Sequence, residues 1–345
     1  MGETRVDLLR LLEDLRDAYP GSLEETIVTE IVANALDSGA REISIFADPV
    51  ARTCTATDDG TGMSRAALSR YHDLAVTSKR RGRGIGFAGV GIKLGLLVSD
   101  EVVTETRTPR ARRALATSWR LSSRTRAPWR WIEPPGLLRG GGTAVRLYLS
   151  NPLSRLLDPG FVETSLLRHF EPLFHDRFDE ILAAHYPEGV EFRVNGRPLA
   201  RAADDPGLAH LEIRVGRQRK PSGVGILARD AYLAEEERGV AVSTLGKVIK
   251  RGWDWTGIAP SRADGVAGLI EIPALAGSLM LNKADFMRSG AAGATFLAYR
   301  KAVQEAVSEQ LEAWGEGPDG SPKPRRRTRR LERDPQSVLA ALSEA

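Results

Sequence analysis

The sequence has few of the residues that cross-link proteins or bind zinc. Its 345 residues include one cysteine, Cys54, and five histidines. A lone cysteine cannot form an internal disulfide, and the histidines are too scattered to supply zinc ligands. We therefore expect a reducing compartment, no structural zinc and a fold held together by its apolar core.

The sequence also lacks long apolar runs. None approaches the roughly 20 residues that a membrane-spanning helix requires. Acidic residues stand near the N-terminus, where a secretory signal has a basic region followed by an apolar core. We expect a soluble, cytoplasmic protein with no membrane partner, associated with the nucleoid if it binds DNA.

Proline, glycine and arginine are abundant near the C-terminus. Residues 316–330 read Glu-Gly-Pro-Asp-Gly-Ser-Pro-Lys-Pro-Arg-Arg-Arg-Thr-Arg-Arg, which is too little apolar content to fold alone. We predict a flexible basic tail at 316–345, after two α+β domains at 1–150 and 151–315. Basic segments favour nucleic acid as a partner, although a solvated charged surface has the same composition.

Apolar periodicity predicts the elements of both domains. Helices are predicted over residues 8–15, 23–37, 161–182 and 296–314. Strands are predicted over residues 42–47, 52–57, 101–107, 114–121, 143–149, 190–194, 224–227 and 268–272. Ser22 and Glu25 form a capping box at the start of the second helix, and Asn195-Gly196 predicts a tight hairpin turn.

The second helix is apolar around most of its circumference, which indicates burial. Glu30, Asn34 and Asp37 interrupt it at spacings of four and then three residues, so they share one face. A buried carboxylate is costly without a polar partner. This polar stripe therefore faces either a ligand or hydrogen bonds from neighbouring strands, and the helix alone does not distinguish the two.

Two glycine-rich segments follow this helix. Residues 58–63, Asp-Asp-Gly-Thr-Gly-Met, leave a strand and offer a carboxylate that can accept a hydrogen bond from an amino group. Residues 82–93 carry backbone amides suited to phosphate oxygens. Gly84, Gly86 and Gly89 also match the dinucleotide-binding pattern, but no buried strand precedes them, which disfavours a dinucleotide-dependent oxidoreductase.

In order along the chain, these segments resemble the motifs of the GHKL ATPase superfamily, which includes Hsp90, MutL, type II topoisomerase ATPase subunits, MORC proteins and histidine kinases. Residues 30–40 resemble the N-box, especially its MutL form, and residues 58–63 resemble the adenine-binding box. Residues 85–93 resemble the phosphate-binding box of Hsp90 and MORC proteins, and Gly142-Thr143 resembles the short closing motif. The resemblance implies a Bergerat fold, an α/β sandwich, with ATP and Mg²⁺ as cofactors.

The resemblance also implies roles for individual residues. Glu30 is the expected general base for the attacking water, Asn34 the magnesium ligand, and Asp58 the anchor of the adenine amino group. The residues expected to contact the nucleotide or its lid are Asn34, Asp37, Asp58, Gly60, Gly62, Met63, Thr77, Ser78, Lys79, Gly84, Gly86, Phe87, Ala88, Gly89, Val90, Gly91, Lys93 and Thr143.

The second domain resembles the smaller transducer domain of MutL and MORC proteins, an α+β fold like that of ribosomal protein S5. Residues 281–286, Leu-Asn-Lys-Ala-Asp-Phe, resemble the Asn-Lys-x-Asp-Phe segment of MORC proteins. The resemblance implies that Lys283 reaches the γ-phosphate and takes part in catalysis. The match is short, and a lysine on a surface loop is the alternative.

These expectations converge on magnesium-dependent ATP binding and hydrolysis that drives a conformational and dimerisation switch. The resemblance implies an ATP-dependent homodimer, and the basic tail favours DNA as the substrate. Two alternatives stay open. One is action on protein clients, as in Hsp90, and the other is a nucleotide-dependent binding module in which Glu30 is not positioned to act as a base.

Overall fold

A computed structural model describes residues 6–73, 82, 84–86, 91–203, 205–216 and 220–315. The predicted tail lies outside the described residues. So do seven of the predicted site residues, which are Thr77, Ser78, Lys79, Phe87, Ala88, Gly89 and Val90.

The larger sheet has eight strands. They are β1 (Glu42–Asp48), β2 (Thr53–Asp58), β3 (Ser99–Arg107), β4 (Leu115–Trp119), β5 (Trp129–Ile132), β6 (Gly142–Leu149), β7 (Glu191–Val194) and β8 (Arg197–Pro198). Their order is β5-β4-β3-β6-β2-β1-β7-β8, and β1 pairs with β7 in parallel while the other pairs are antiparallel. The sheet is therefore mixed and takes two strands from beyond residue 150, whereas the division into domains stays a prediction.

Six α-helices accompany the strands in the described part of the chain. They are α1 (Leu8–Asp17), α2 (Leu23–Asp37), α3 (Arg65–Tyr71), α4 (Pro159–His169), α5 (Asp179–Leu182) and α6 (Gly290–Ala313). None of these helices is long and apolar enough to cross a membrane.

Helix α2 has the bounds that its capping residues predict. The Ser22 hydroxyl accepts a hydrogen bond from the backbone N–H of Glu25 at 3.2 Å, and Gly39, just beyond the last turn, has a φ of +74°. Ile27 and Val32 have no exposed surface. The helix packs against α4 and against a 3₁₀ helix at Gly91–Leu97, and the first residue of that 3₁₀ helix meets the polar stripe at Glu30.

The single helix predicted over residues 161–182 is wrong. Helix α4 ends at His169, and two short 3₁₀ helices at Glu171–Phe174 and Asp176–Phe178 separate it from α5. Pro172 explains the break, because proline has no N–H to donate to a continuing helix. Phe178 in the second short helix has no exposed surface, so the apolar spacing reflects burial without a continuous helix.

The smaller sheet has five strands, β9 (Ala209–Ile213), β10 (Gly223–Arg229), β11 (Gly239–Thr244), β12 (Lys247–Gly252) and β13 (Val266–Glu271). Their order is β12-β11-β13-β10-β9, with β11 and β13 parallel. Helix α6 packs on β9 and on a 3₁₀ helix at Pro273–Ser278. The resulting second core is the part of the chain predicted to be a transducer, and its likeness to ribosomal protein S5 stays a prediction.

The packing of α6 gives a test of this second core. Phe296 has no exposed surface and stacks on Phe286 with ring centroids 4.8 Å apart. Replacing it by alanine removes this contact and leaves a cavity, so we expect Phe296→Ala to lower the free energy of unfolding by about 3–5 kcal/mol in urea denaturation. The neighbouring Leu297 is 45% exposed, and Leu297→Ala should change stability by only about 0.5 kcal/mol. Equal effects of the two substitutions would contradict this packing.

Candidate nucleotide-binding site

A cavity of about 310 Å³ lies between α2, the larger sheet and the 3₁₀ helix at Gly91–Leu97. Its volume falls within the range of small-molecule sites. Ten of the residues predicted to form the site line it: Glu30, Asn34, Asp37, Asp58, Gly62, Met63, Gly86, Gly91, Lys93 and Thr143. Gly60, Gly84 and Lys283 are adjacent to lining residues.

The polar stripe of α2 faces this cavity. Glu30, Asn34 and Asp37 all lie on its wall, as their spacing along the helix predicts. Glu30 is 2% exposed, and Asn34 and Asp37 are half-buried. The side chains therefore face a concave site and not open solvent.

Asp58 stands at one end of the cavity, at the C-terminus of β2. Its carboxylate accepts hydrogen bonds from the backbone N–H of Gly60, at 2.9 Å, and from that of Thr143. Burial raises the pKa of Asp58 to about 6, although these two bonds oppose the change. Ala56 and Val145 make this end of the cavity apolar. A buried acceptor in apolar surroundings suits an aromatic ligand that carries an amino group.

The glycine of the predicted closing motif permits a close approach beside Asp58. Thr143 on β6 is the partner of Asp58 in the sheet. Gly142 has a φ of +123°, and a side chain there would collide with the backbone carbonyl of Asp58. The resemblance of Gly142-Thr143 to a closing motif therefore has a local physical basis.

Asp37 holds the start of the second glycine-rich segment. Its two carboxylate oxygens accept hydrogen bonds from the backbone N–H groups of Ile85, at 2.8 Å, and Gly86, at 2.7 Å. A side chain at Gly84 would collide with the same carboxylate. Two of the amides predicted to bind phosphate thus bind Asp37, which fastens this segment to α2.

Lys93 approaches the cavity from the 3₁₀ helix. The residue is 2% exposed, and burial lowers its pKa to about 8 because the ammonium ion loses hydration. Gly91, two residues earlier, lies so close to Glu30 that any side chain there would collide with it. This wall of the cavity therefore consists of backbone packed against Glu30, with the buried Lys93 two residues further along.

Lys283 comes from the loop before α6 and meets Glu30 directly. Its Nζ lies 2.6 Å from Oε1 and 2.5 Å from Oε2 of Glu30, and the lysine is 3% exposed. The backbone of Lys283 has a φ of +55°, a left-handed conformation that is uncommon outside glycine. The surface-lysine alternative is therefore wrong, since Lys283 is buried against the predicted base.

Sequence reasoning missed three polar residues near this site. Lys247 lies 3.9 Å from Glu30, and Tyr71 and Ser38 line the cavity. Ser38 lies in the segment that resembles the N-box but has no predicted role there, and its hydroxyl lies 3.5 Å from the carboxylate of Asp58. No local sequence pattern indicates that Lys247 is buried. Tyr71 stands three residues after the apolar Leu68, and this helical spacing could have predicted that it faces the interior.

The mixed sheet, the polar stripe of α2 and the acceptor at Asp58 form a candidate small-molecule site in an α+β fold. Residues 22–129 match the family model described as histidine kinase-, DNA gyrase B- and HSP90-like ATPase. This segment belongs to the GHKL superfamily, and the predicted membership and α+β fold class are confirmed. The family implies ATP binding and suggests ATPase activity. A comparison with curated protein sequences gave no match.

The raised pKa of Asp58 predicts a pH dependence of stability. An unfolded aspartate ionises near pH 3.8, whereas Asp58 in the fold ionises near pH 6. Between these values the folded state keeps a proton that the unfolded state has lost, so this group favours folding at low pH and the benefit disappears as pH rises. Asp58→Asn cannot ionise. We expect the stability of the unaltered chain relative to Asp58→Asn to fall by about 1–3 kcal/mol between pH 4 and pH 7.

Urea denaturation of both proteins across this pH range measures the difference. Asp100→Asn is the matched control, because Asp100 is an exposed aspartate away from Asp58. A stability difference between the unaltered chain and Asp58→Asn that is constant with pH would contradict the raised pKa.

Proposed function

We propose that the chain is a magnesium-dependent ATPase that uses ATP to switch conformation and to form a dimer. The observation that carries the proposal is the position of Glu30. It lies on the cavity wall, one helical turn from Asn34, and binds Lys283 from the far end of the chain.

The two ends of the cavity fit the two ends of ATP. Asp58 offers an acceptor to the amino group of adenine, and the apolar side chains beside it suit the flat base. Lys93, which also lines the cavity, offers a cation to the phosphates. Asn34 presents an amide oxygen, the type of ligand that magnesium prefers, and would hold the ion there. When bound, Mg²⁺ neutralises phosphate charge.

Glu30 is the residue that would accept a proton from the attacking water. In the structure both of its oxygens are bonded to Lys283, and an oxygen engaged in this way is a poor base. A terminal phosphate is a stronger competitor for the lysine because it carries more charge and three oxygens. Its arrival would draw Lys283 away and release Glu30, so the base becomes active only when the substrate is present.

Glu30→Gln tests this role. The glutamine keeps the size of the side chain and removes the base, so we expect steady-state phosphate release to fall roughly 100- to 10,000-fold. ATP affinity should be kept or increased, because glutamine competes less well with phosphate for Lys283. The same variant should accumulate as a dimer with ATP, since the step that resets the switch is blocked. Phosphate release, calorimetric titration and light scattering measure the three properties.

Glu24→Gln is the matched control for this substitution. Glu24 lies on the first turn of α2, away from the cavity wall, and its loss should leave phosphate release unchanged. If the unaltered chain binds ATP without releasing phosphate, a nucleotide-dependent binding module replaces the ATPase. If it binds no ATP, the proposal is wrong.

We further propose that the switch acts on DNA. The support is the basic segment at residues 323–330, which suits the phosphate backbone of a duplex. Deleting residues 316–345 should weaken binding to duplex DNA and reduce the dependence of affinity on salt, measured by fluorescence anisotropy at several salt concentrations.

A chain in which the five arginines of this segment are replaced by glutamine is the control for tail length. This variant should bind DNA as weakly as the deletion does, because the positive charge of the tail, and not its length, accounts for the binding. No binding at low salt, or binding that the deletion leaves unchanged, would remove DNA as the partner and favour a protein client.

A further inference from the structure

A second lysine approaches Glu30 from the smaller sheet. Lys247 begins β12, is 5% exposed, and places its Nζ 3.9 Å from Oε1 of Glu30. Glu30, Lys247 and Lys283, here called the Glu30 cluster, thus hold two buried ammonium groups around one carboxylate. Lys283 already binds both oxygens of that carboxylate. Among the described residues the ammonium of Lys247 has no hydrogen bond, and 3.9 Å is too long for one.

The charge on Lys247 is poorly matched by its surroundings. Burial is the main cause that lowers its pKa, to about 8, and Lys283 adds repulsion. Glu30 and Asp37 oppose this change, but the carboxylate of Asp37 is engaged with the amides of Ile85 and Gly86. Glu30 and Asp37 balance the charges of the two lysines, but a further anion beside Lys247 would give its ammonium a direct hydrogen-bond partner.

The position of Lys247 is set by a turn that other side chains hold in place. Leu245 and Gly246 form the turn between β11 and β12, with φ values of +52° and +79°. The Tyr186 hydroxyl donates to the carbonyl of Leu245 at 2.9 Å, and the N–H of Gly246 donates to the buried carboxylate of Glu271 at 3.2 Å. A turn held at both of its residues fixes the direction of the lysine that follows it.

We propose that Lys247 is a second cation for the terminal phosphate of ATP, and that it shares Glu30 with Lys283 while this phosphate is absent. The inference rests on the proposed ATPase function and deepens it. A terminal phosphate offers three oxygens and more than one negative charge, so it can bind both lysines at once. Glu30 offers only two oxygens. Because ADP lacks the third phosphate, it cannot make the contact with Lys247. This contact therefore lets the site discriminate ATP from ADP.

The alternative is that Lys247 only balances charge inside the fold. In that case its removal changes stability and affects all nucleotides equally. If Lys247 binds the terminal phosphate, its removal should lower the affinity for the triphosphate and leave the affinity for ADP unchanged. The ratio of these two affinities therefore distinguishes the two roles, whereas the stability of the fold does not.

The test uses calorimetric titration of the full chain with ADP and with an imido-bridged ATP analogue that cannot be hydrolysed, both with Mg²⁺. Lys247→Met should weaken binding of the analogue roughly 10- to 100-fold, the loss expected for one charged hydrogen bond, and change ADP binding less than about threefold. The variant should fold, because it leaves the pair of Glu30 and Lys283 intact. Lys247→Gln carries the same expectation if the methionine variant does not fold.

Lys301→Met is the matched control for the loss of a lysine. Lys301 lies on α6 with 76% of its side chain exposed and pairs with Glu305, so its removal should leave both affinities unchanged. If Lys247→Met binds both nucleotides as the unaltered chain does, or loses affinity for both equally, the inference is overturned while the ATPase proposal stands. If the unaltered chain binds neither nucleotide, the ATPase proposal itself has failed.

Discussion

The buried ion pair of Glu30 and Lys283 is the interaction on which the rest of the site depends. It joins α2 to a loop 253 residues further along the chain. Removing one partner of a buried pair leaves the other charge uncompensated and costs about 3–5 kcal/mol. This ion pair therefore couples the nucleotide cavity to the loop before α6, and a ligand that competes for either partner acts on both.

A second constraint applies to the acidic side chains of the cavity. The backbone of a glycine lies in direct contact with each of them. Gly91 lies against the side chain of Glu30, Gly84 against that of Asp37, and Gly60 against that of Asp58, and a side chain at any of the three would collide. Where no side chain intervenes, backbone N–H groups can reach a carboxylate and donate hydrogen bonds to it. Asp37 accepts two such bonds, from Ile85 and Gly86. Glycine-rich segments here position the acidic residues as well as offering amides to phosphate.

Features set by neighbouring residues were predictable from the sequence. Ser22 and Gly39 mark the two ends of α2, and Asn195-Gly196 marks a hairpin whose φ values of +48° and +80° suit these residues. The polar stripe was predictable too, because helical spacing alone places its three residues on one face. In these cases a few adjacent residues contain the physical cause.

Features set by distant contacts were not predictable in this way. Strand β11 is buried at every position, so it lacks the alternation that marks a half-exposed strand. Lys283 was found only through a family resemblance, and Lys247 was missed, since the reason for burying either lysine is a carboxylate more than 200 positions away. Pro172 marks the break in the sequence. However, buried phenylalanines on both sides of it, at Phe170, Phe174 and Phe178, continue the apolar spacing of a helix.

For the proposed switch, the free energy required favours two lysines at Glu30 over one. Moving an equilibrium from 1:99 to 99:1 requires the ligand to favour one state by about 5.5 kcal/mol. One charged hydrogen bond contributes about 1.5–3 kcal/mol, so a phosphate contact through Lys283 alone falls short of a full switch. Two such contacts contribute roughly 3–6 kcal/mol, which reaches the required range. The exchange also has a cost, because drawing Lys283 to the phosphate leaves the buried carboxylate of Glu30 without its partner, and a second contact through Lys247 helps to offset it.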